Sequence, residues 1–379
     1  MHIVADENIP LLDAFFAPLG RITRLPGRQI SHQDLTDADA LIVRSVTRVD
    51  PQLLAGTPVR FVGTCTIGTD HLDLPGLAAA GVTVASAPGC NARGVVEYVL
   101  SCLLTLSERT GLDWRTRRVG IVGVGEVGGR LAKTLTALGV DCLLCDPPRA
   151  ALGEAGFAPL DQLLSECDVI SCHVPLTRTG ADATWHLLDA GRLVALRPGA
   201  WLINSSRGPV IDNHALKAVL AERADLQVAL DVWEQEPQVD CELLQRCALG
   251  TPHIAGYSLD GKLRGTEQIY RALCASLGQS APLSLDSLAP EAGRAQLQFA
   301  AGTPAQWLLE RSLRQVYDVR DDDARFRAAM LPLAGQSTAQ AFDALRKGYP
   351  LRRECPEVEV RHSEDEDAAA LLAAAGFRR

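Results

Sequence analysis

The chain has 379 residues, 47% hydrophobic and 22% charged, an ordinary globular composition with room for two or three domains. Its formal net charge of −9 offers no basic face to nucleic acid or to an anionic membrane, so any phosphate recognition must be local. The start, MHIVADENIP, lacks a signal layout, the apolar run VVEYVLSCLLTL is too short to span a bilayer, and eleven cysteines without framework spacing suggest reduced thiols; a cytoplasmic protein is expected.

Over the first stretch, HIVADE, ADALIVRS, VRFVGT and GVTVASA are strand-like and are separated by helix-compatible segments. From Asn91, an N-cap candidate, NARGVVEYVLSCLLTLSERTG reads as one long helix leading into a second α/β unit. RRVGIVGVG then holds a β-rich run, Val119 to Val122, that ends in glycines. The next segment, EVGGRLAKTLTALG, places Val127, Leu131, Leu135 and Leu138 on one helical face, with Gly139 at its C-cap. VDCLLCD, CDVISCHVP, GAWLINSSRG and LQVALDVWE read as further strands, interleaved with helical patterns such as DNHALKAVLAERA, capped by Asp212. Such alternation predicts a parallel sheet covered on both faces. Cys142 and Cys145 are spaced as CxxC, but no second pair completes a zinc site, so they are assigned to core packing and no metal is expected.

Past about residue 280 the texture changes. Thr303-Pro304 suggests an N-cap followed by proline at the first helical position, and Leu309, Leu313, Val316 and Tyr317 share a helical face. EVEVR alternates as a strand, and SEDEDAAALLAAAG opens with the capping-box spacing of Ser363 and Glu366. The acidic stretches here and in RDDDAR are expected to be solvated faces. This tail reads as a small α/β module without a catalytic constellation.

Gly123, Gly125 and Gly128 form GxGxxG directly after a strand and at the start of a helix. The first glycine permits a tight turn, the second lets backbone approach a pyrophosphate, and the third allows close helix–sheet packing. Asp146 ends the next strand, where an acid accepts hydrogen bonds from an adenosine ribose and repels a 2′-phosphate, favouring NAD over NADP. Arg149, close by, tempers that preference.

Proton-transfer candidates are sparse. Tyr257 and Lys262 are one residue too far apart for a YxxxK pair. At the carboxyl ends of strands stand Arg207 in NSSRGPVID, Glu236 in DVWEQEP and His253 in TPHIAGY. Oxidation of a secondary alcohol needs a base, a role suited to histidine, and a carboxylate on the other ring nitrogen would set its tautomer. A guanidinium would hold a substrate carboxylate. Taken singly, each residue also has a bland reading: a surface ion pair, a solvated acid and a hydrogen-bonded core histidine.

In their order, the glycine loop, NSSRGPVID, DVWEQEP and TPHIAG resemble the D-isomer-specific 2-hydroxyacid dehydrogenases, as does GTCTIGTDHLD near the start. The resemblance covers roughly residues 1–280. It implies Arg207, Glu236 and His253 as a catalytic trio with His253 as acid/base. It also implies an α/β fold in which a Rossmann-type NAD domain (93–255) is inserted in a flavodoxin-like α/β substrate domain (1–92 and 256–282). A small C-terminal α/β domain (283–379) would form a homodimer.

IVRSVTRVD, HIAGYSLDGK, VYDVRDDD and the C-terminal extension carry a narrower likeness, to a branch acting on a small phosphorylated 2-hydroxy acid in the vitamin B6 pathway. That likeness implies Ser45, Thr66 and Tyr257 as substrate-binding residues. It implies Asp231 at the nicotinamide end, with backbone help from Ser206 and Gly256, and Glu126 and Val127 meeting the pyrophosphate through N–H groups. Val174 stands where related sequences often have threonine, leaving only backbone for a contact to NAD. Arg44 either binds the phosphate or braces its loop, and His71 is expected to tie that loop together. Rival readings are phosphoglycerate dehydrogenase, another D-2-hydroxyacid dehydrogenase, and an NAD-sensing scaffold protein.

Overall fold

The computed structural model describes residues 1–288, 295–362 and 365–378. The chain forms two compact units, Met1–Asn91 with Ser258–Gly293, and Ala92–Tyr257 with Arg294–Arg379.

In the first unit β1 (His2–Asp6), β2 (Arg21–Leu25), β3 (Ala40–Val43), β4 (Phe61–Thr64) and β5 (Thr83–Ala85) form a parallel sheet of order β2-β1-β3-β4-β5. This is the flavodoxin-like order. Every residue of β1, β3 and β4 is buried, which explains their continuous apolar runs. The edge strand β2, RITRL, carries two arginines and escapes an apolar-pattern reading. The helix Leu259–Ser276 returns the chain to this sheet, packing Ile269, Tyr270 and Leu273 against Ile3, Phe15 and Ile42. Gly63 permits that approach, because a Cβ there would lie 2.4 Å from the Ile269 side chain.

The second unit holds β6 (Val119–Val122), β7 (Cys142–Cys145), β8 (Val169–Cys172), β9 (Trp201–Asn204), β10 (Gln227–Leu230) and β11 (Leu249–Gly250). All pair in parallel in the order β11-β10-β9-β8-β6-β7. The order reverses at β6, creating a switch point between β6 and β8 where such sheets bind ligands beyond their carboxyl ends. The helices Ala92–Thr110 and Glu126–Ala137 cover one face and Leu160–Glu166 and Asn213–Glu222 the other. Cys142 packs with the first of these layers and Cys145 with the second, so the CxxC spacing places its sulfurs on opposite faces of β7. All eleven cysteines are free thiols, buried except for the half-buried Cys142.

The C-terminal segment joins the second unit's core. Its helices are Ala305–Val316, Val319–Met330, Ala339–Lys347 and Glu366–Ala375, with β12 (Ala295–Gln298) and β13 (Val358–Arg361) as a parallel pair. Leu309, Leu313, Tyr317 and Leu372 share a cluster with the helix Ala92–Thr110, while Phe326, Met330 and Phe342 share the opposite one with Trp233. Pro304 is the N-cap itself and the helix begins one residue later than expected, at Ala305. Asp365 caps the last helix through Asp367 and Ala368 N–H, whereas Ser363 lies outside the described residues.

The expectation for RDDDAR holds at the exposed Asp321 and is overturned at Asp322 and Asp323. Asp322 and Asp323 are only 4% and 7% exposed. Asp322 accepts from the Tyr317 and Tyr349 hydroxyls at 2.9 and 2.8 Å, and Asp323 from Gly250 N–H at 2.8 Å. Buried carboxylates persist here because donors surround them, from the neighbouring Tyr317 and from the remote Tyr349 and Gly250. Among the described residues no helix is long and apolar enough to cross a membrane.

Candidate active site

His253 follows β11 in the second unit and has a left-handed backbone, φ 57°. A β-carbon makes that region costly, so surrounding bonds must impose it. His253 N–H donates to the Asp231 carbonyl at 2.7 Å. The Asp231 carboxylate accepts from Ile254 N–H, Ala255 N–H and Thr251 Oγ1, at 2.8, 2.9 and 2.7 Å. Asp231 is 1% exposed, and burial pushes its carboxyl above the ordinary value, partly offset by His253 and these donors. The residue expected at the nicotinamide end is thus also the clamp of the histidine loop.

The His253 Nδ1 atom lies 2.7 Å from Glu236 Oε2. Glu236 Oε1 accepts Trp233 N–H at 2.7 Å, and Trp233 Nε1 donates to the Thr251 carbonyl at 3.0 Å, joining the two loops. Burial opposes a charge on Glu236, yet the His253 interactions and the Trp233 N–H together hold its carboxyl below the ordinary value. Side-chain exposures of 34% for His253 and 21% for Glu236 leave the pair reachable by a small molecule.

Arg207 comes from the loop after β9. Its Nη1 donates to the Ser206 carbonyl at 2.7 Å, and its own carbonyl accepts from Asn204 Nδ2 at 3.0 Å. Asn204 Oδ1 also accepts Ser206 N–H and O–H, at 3.0 and 2.7 Å, so both Ser206 donors are engaged. A Cβ on Gly208 would meet Trp233 backbone at 2.0 Å, so only glycine lets the Arg207 loop lie against the Glu236 loop. Gly256 and Tyr257 are half-buried just beyond the histidine.

The glycine loop fits a dinucleotide. Gly123 has φ 86° and a Cβ there would meet His173 backbone at 2.8 Å; one on Gly128 would meet the Gly123 oxygen at 1.9 Å. Nothing lies within 4 Å of a Cβ on Gly125, which keeps that approach open. Gly125 caps the helix Glu126–Ala137 without a side chain, so the first-turn N–H groups of Glu126 and Val127 have no acceptor within the helix. Val174 contributes a methyl against Gly123.

Asp146 accepts Val124 N–H at 2.8 Å and caps the helix Pro147–Ala151. Arg149 is taken up by Glu154, at 3.0 and 3.1 Å through Nε, and by the Val124 carbonyl at 2.6 Å. The arginine that tempers the NAD preference is therefore engaged elsewhere.

In the first unit, Ser45 and Thr66 each lie two residues beyond the paired ends of β3 and β4, Val43 and Thr64. Ser45 is exposed. Thr66 Oγ1 bonds Thr64 Oγ1 at 2.7 Å and the Gly68 carbonyl at 3.0 Å. His71 Nε2 reaches Thr64 Oγ1 at 3.0 Å, in keeping with a loop-tying role. Arg44 Nε pairs with the buried Asp6 at 3.1 Å, a bracing contact.

Three features were missed by sequence reasoning. His186, Asp212 and Glu234 are grouped within ligand reach of one another. Each has a protein partner: His186 Nε2 meets Glu234 at 2.7 Å, Glu234 accepts Asn213 N–H at 3.1 Å, and Asp212 caps the helix Asn213–Glu222. Arg352, 6% exposed, donates to the Ala255 carbonyl at 3.1 Å and the Gly94 carbonyl at 2.7 Å, bracing the histidine loop from the C-terminal segment. Arg346 has its guanidinium carbon 5.4 Å from the Tyr257 ring centroid. Neither arginine lies in a motif that could have revealed it.

A parallel Rossmann-type sheet, a glycine loop at its switch point and a carboxylate-oriented histidine define an NAD-dependent dehydrogenase. A family model described as D-isomer specific 2-hydroxyacid dehydrogenase, NAD binding domain, matches residues 104–255, and a domain of unknown function matches residues 288–376. Erythronate-4-phosphate dehydrogenase from Pseudomonas savastanoi pv. phaseolicola is 59% identical over 99% of both chains. The enzyme of that name from Pseudomonas syringae pv. syringae is 58% identical over 98% of both. A D-lactate dehydrogenase structure from Aquifex aeolicus, complexed with NAD and lactic acid, matches in fold with TM-score 0.62 and 24% identity, covering 73% of this chain and 96% of that one. The chain belongs to the erythronate-4-phosphate dehydrogenase family, within the D-isomer specific 2-hydroxyacid dehydrogenases, and its cofactor is NAD.

Proposed function

We propose that the protein oxidises the 2-hydroxyl of 4-phospho-D-erythronate to the 2-oxo acid, in vitamin B6 biosynthesis. The observation that carries the chemistry is the 2.7 Å His253–Glu236 pair at the carboxyl end of the Rossmann sheet. The substrate reading rests on relatives that carry this name across nearly the whole chain.

Bound NAD supplies the hydride acceptor. His253 Nε2 takes the hydroxyl proton, while Glu236 holds the proton on Nδ1 and stabilises the imidazolium that forms. Arg207 holds the substrate carboxylate and polarises the developing carbonyl. Asp231 keeps the histidine loop in its left-handed turn at the nicotinamide end, with Ser206 and Gly256 as backbone contacts. Gly123, Gly125, Gly128, Glu126 and Val127 cradle the pyrophosphate, and Asp146 takes the adenosine ribose. Ser45, Thr66 and Tyr257 bind substrate. Arg44 serves its loop through Asp6, which is the reading its ion pair supports.

In this proposal residues 283–379 also form the homodimer contact. Trp307 is 47% exposed, with the Phe299 ring edge-on at 6.1 Å, and Leu351 is 74% exposed. β12 presents mostly exposed residues as one strand of a two-stranded sheet, an edge open to pairing. Free thiols throughout fit a cytoplasmic location.

The test is NADH formation with 4-phospho-D-erythronate and with 3-phosphoglycerate. The expected outcome is a clear kcat/KM preference for the first; a preference for 3-phosphoglycerate would overturn the substrate assignment.

A further inference from the structure

A phosphorylated 2-hydroxy acid has two anionic ends, and the catalytic trio accounts for one of them. Arg207 suits the carboxylate beside the reacting carbon. The phosphate end needs donors of its own, best supplied by a planar guanidinium with a hydroxyl beside it.

Arg346 satisfies that requirement within the same compact unit as the trio. It sits near the end of the helix Ala339–Lys347, with its guanidinium carbon 5.4 Å from the Tyr257 ring and 5.8 Å from the Phe342 ring. Tyr257 stands edge-on to Tyr349, centroids 5.6 Å apart, and Tyr349 is anchored to the buried Asp322. The tyrosine presenting Arg346 is thus fixed from behind. The Arg346 Nε is buried and has no hydrogen-bond partner among the described residues. A buried guanidinium nitrogen without an acceptor is costly, and such sites are commonly completed by a ligand or water.

Electrostatics place the same group close to the chemistry. The Arg346 charge helps hold the Glu236 carboxyl down, and the Tyr257 hydroxyl is among the groups that stabilise the arginine's own charge. A purely structural arginine in this position would place a positive charge beside the acid/base pair with no return in binding. A dianionic phosphate would use that charge.

We propose that Arg346, carried on the C-terminal segment, binds the phosphate end of the substrate together with the Tyr257 hydroxyl and determines specificity for a phosphorylated over an unphosphorylated 2-hydroxy acid. The assignment rests on the substrate reading given above. It also gives the C-terminal segment a part in the active site in addition to assembly.

The experiment compares wild-type protein, Arg346→Met and Arg346→Lys with 4-phospho-D-erythronate and with D-erythronate, alongside NAD affinity and Tm. Arg346→Met is expected to lower kcat/KM for the phosphorylated substrate by about 10- to 100-fold, as for the loss of a charged hydrogen bond. The loss on D-erythronate should be at least about tenfold smaller, and NAD affinity should stay within about twofold of wild type. Arg346→Lys keeps the charge without the fork and should recover part of the loss; it carries the same ratio test should Arg346→Met fail to fold. Equal losses on both substrates would overturn the assignment in favour of a positioning role through Tyr257 and Glu236. Unchanged kinetics would overturn it outright. Wild-type protein inactive on 4-phospho-D-erythronate would instead overturn the substrate reading, and the assignment would fall with it.

Discussion

His253 Nδ1 and Glu236 Oε2 lie 2.7 Å apart, although their loops follow different strands of the Rossmann sheet. The carboxylate fixes the ring nitrogen that faces it, and Nε2 is the atom proposed to meet substrate. Replacing His253 with alanine is expected to lower kcat by about 10²- to 10⁴-fold, the usual worth of a positioned acid/base. NAD affinity, followed by fluorescence titration, should remain near that of wild type. Undiminished turnover would remove His253 from its assigned role.

Glu236 also links the pair to stability. Its folded carboxyl lies below the ordinary value: burial raises it, but His253 and the Trp233 N–H outweigh that effect. A depressed carboxyl contributes stability above its unfolded pKa, near ~4.3, and loses it as pH falls through the folded value. The Tm difference between wild type and Glu236→Gln should therefore be largest near neutrality and shrink below about pH 4. A gap that widens on acidification would contradict this.

His173 behaves in the opposite chemical sense. Burial pushes its imidazole down to about 3, so the folded protein resists protonating it. The unfolded chain takes that proton near pH ~6.5, so stability is full above that value and falls as pH drops toward about 3. The limiting slope is about 1.4 kcal/mol per pH unit for one proton. Denaturant melts of wild type and His173→Gln at several pH values should show a flatter dependence in the variant.

The proposed role of Asp146 in cofactor choice has its own test. Asp146→Asn should raise the NADP-to-NAD ratio of kcat/KM by about tenfold or more, by removing the charge that repels a 2′-phosphate. Adding Glu154→Gln should raise it further, because Arg149 is otherwise paired with Glu154. An unchanged ratio in both variants would rule out the ribose role. Stability should hardly change, since asparagine caps the helix Pro147–Ala151 about as well as aspartate does.

Assembly is tested at Trp307. Sedimentation of wild type should give a dimer, and Trp307→Glu should shift it toward monomer by burying a charge in an apolar contact. A wild-type monomer would overturn the proposed contact.

Much of the sheet framework was legible locally. Strands such as VGIV and WLIN are buried along their full length, so they appear as short continuous apolar runs. The glycine loop was legible because close backbone approaches at Gly123 and Gly128 admit no side chain. RITRL was missed because its burial is incomplete at the sheet edge. Asp322 and Asp323 misled because polar sequence normally marks solvent, and nothing nearby announces that Tyr349 and Gly250 will supply donors.

The sequence by itself determined the alternating α/β units and the dinucleotide loop, and its resemblance to a known family singled out Arg207, Glu236 and His253. The first two depend on local periodicity and backbone conformation. Only the tertiary structure decided that Asp231 clamps the histidine loop, that Arg352 braces it from the tail, and that Arg346 reaches Tyr257. Those relationships join residues far apart in the chain, and long-range packing leaves no period or spacing by which a linear pattern could report it.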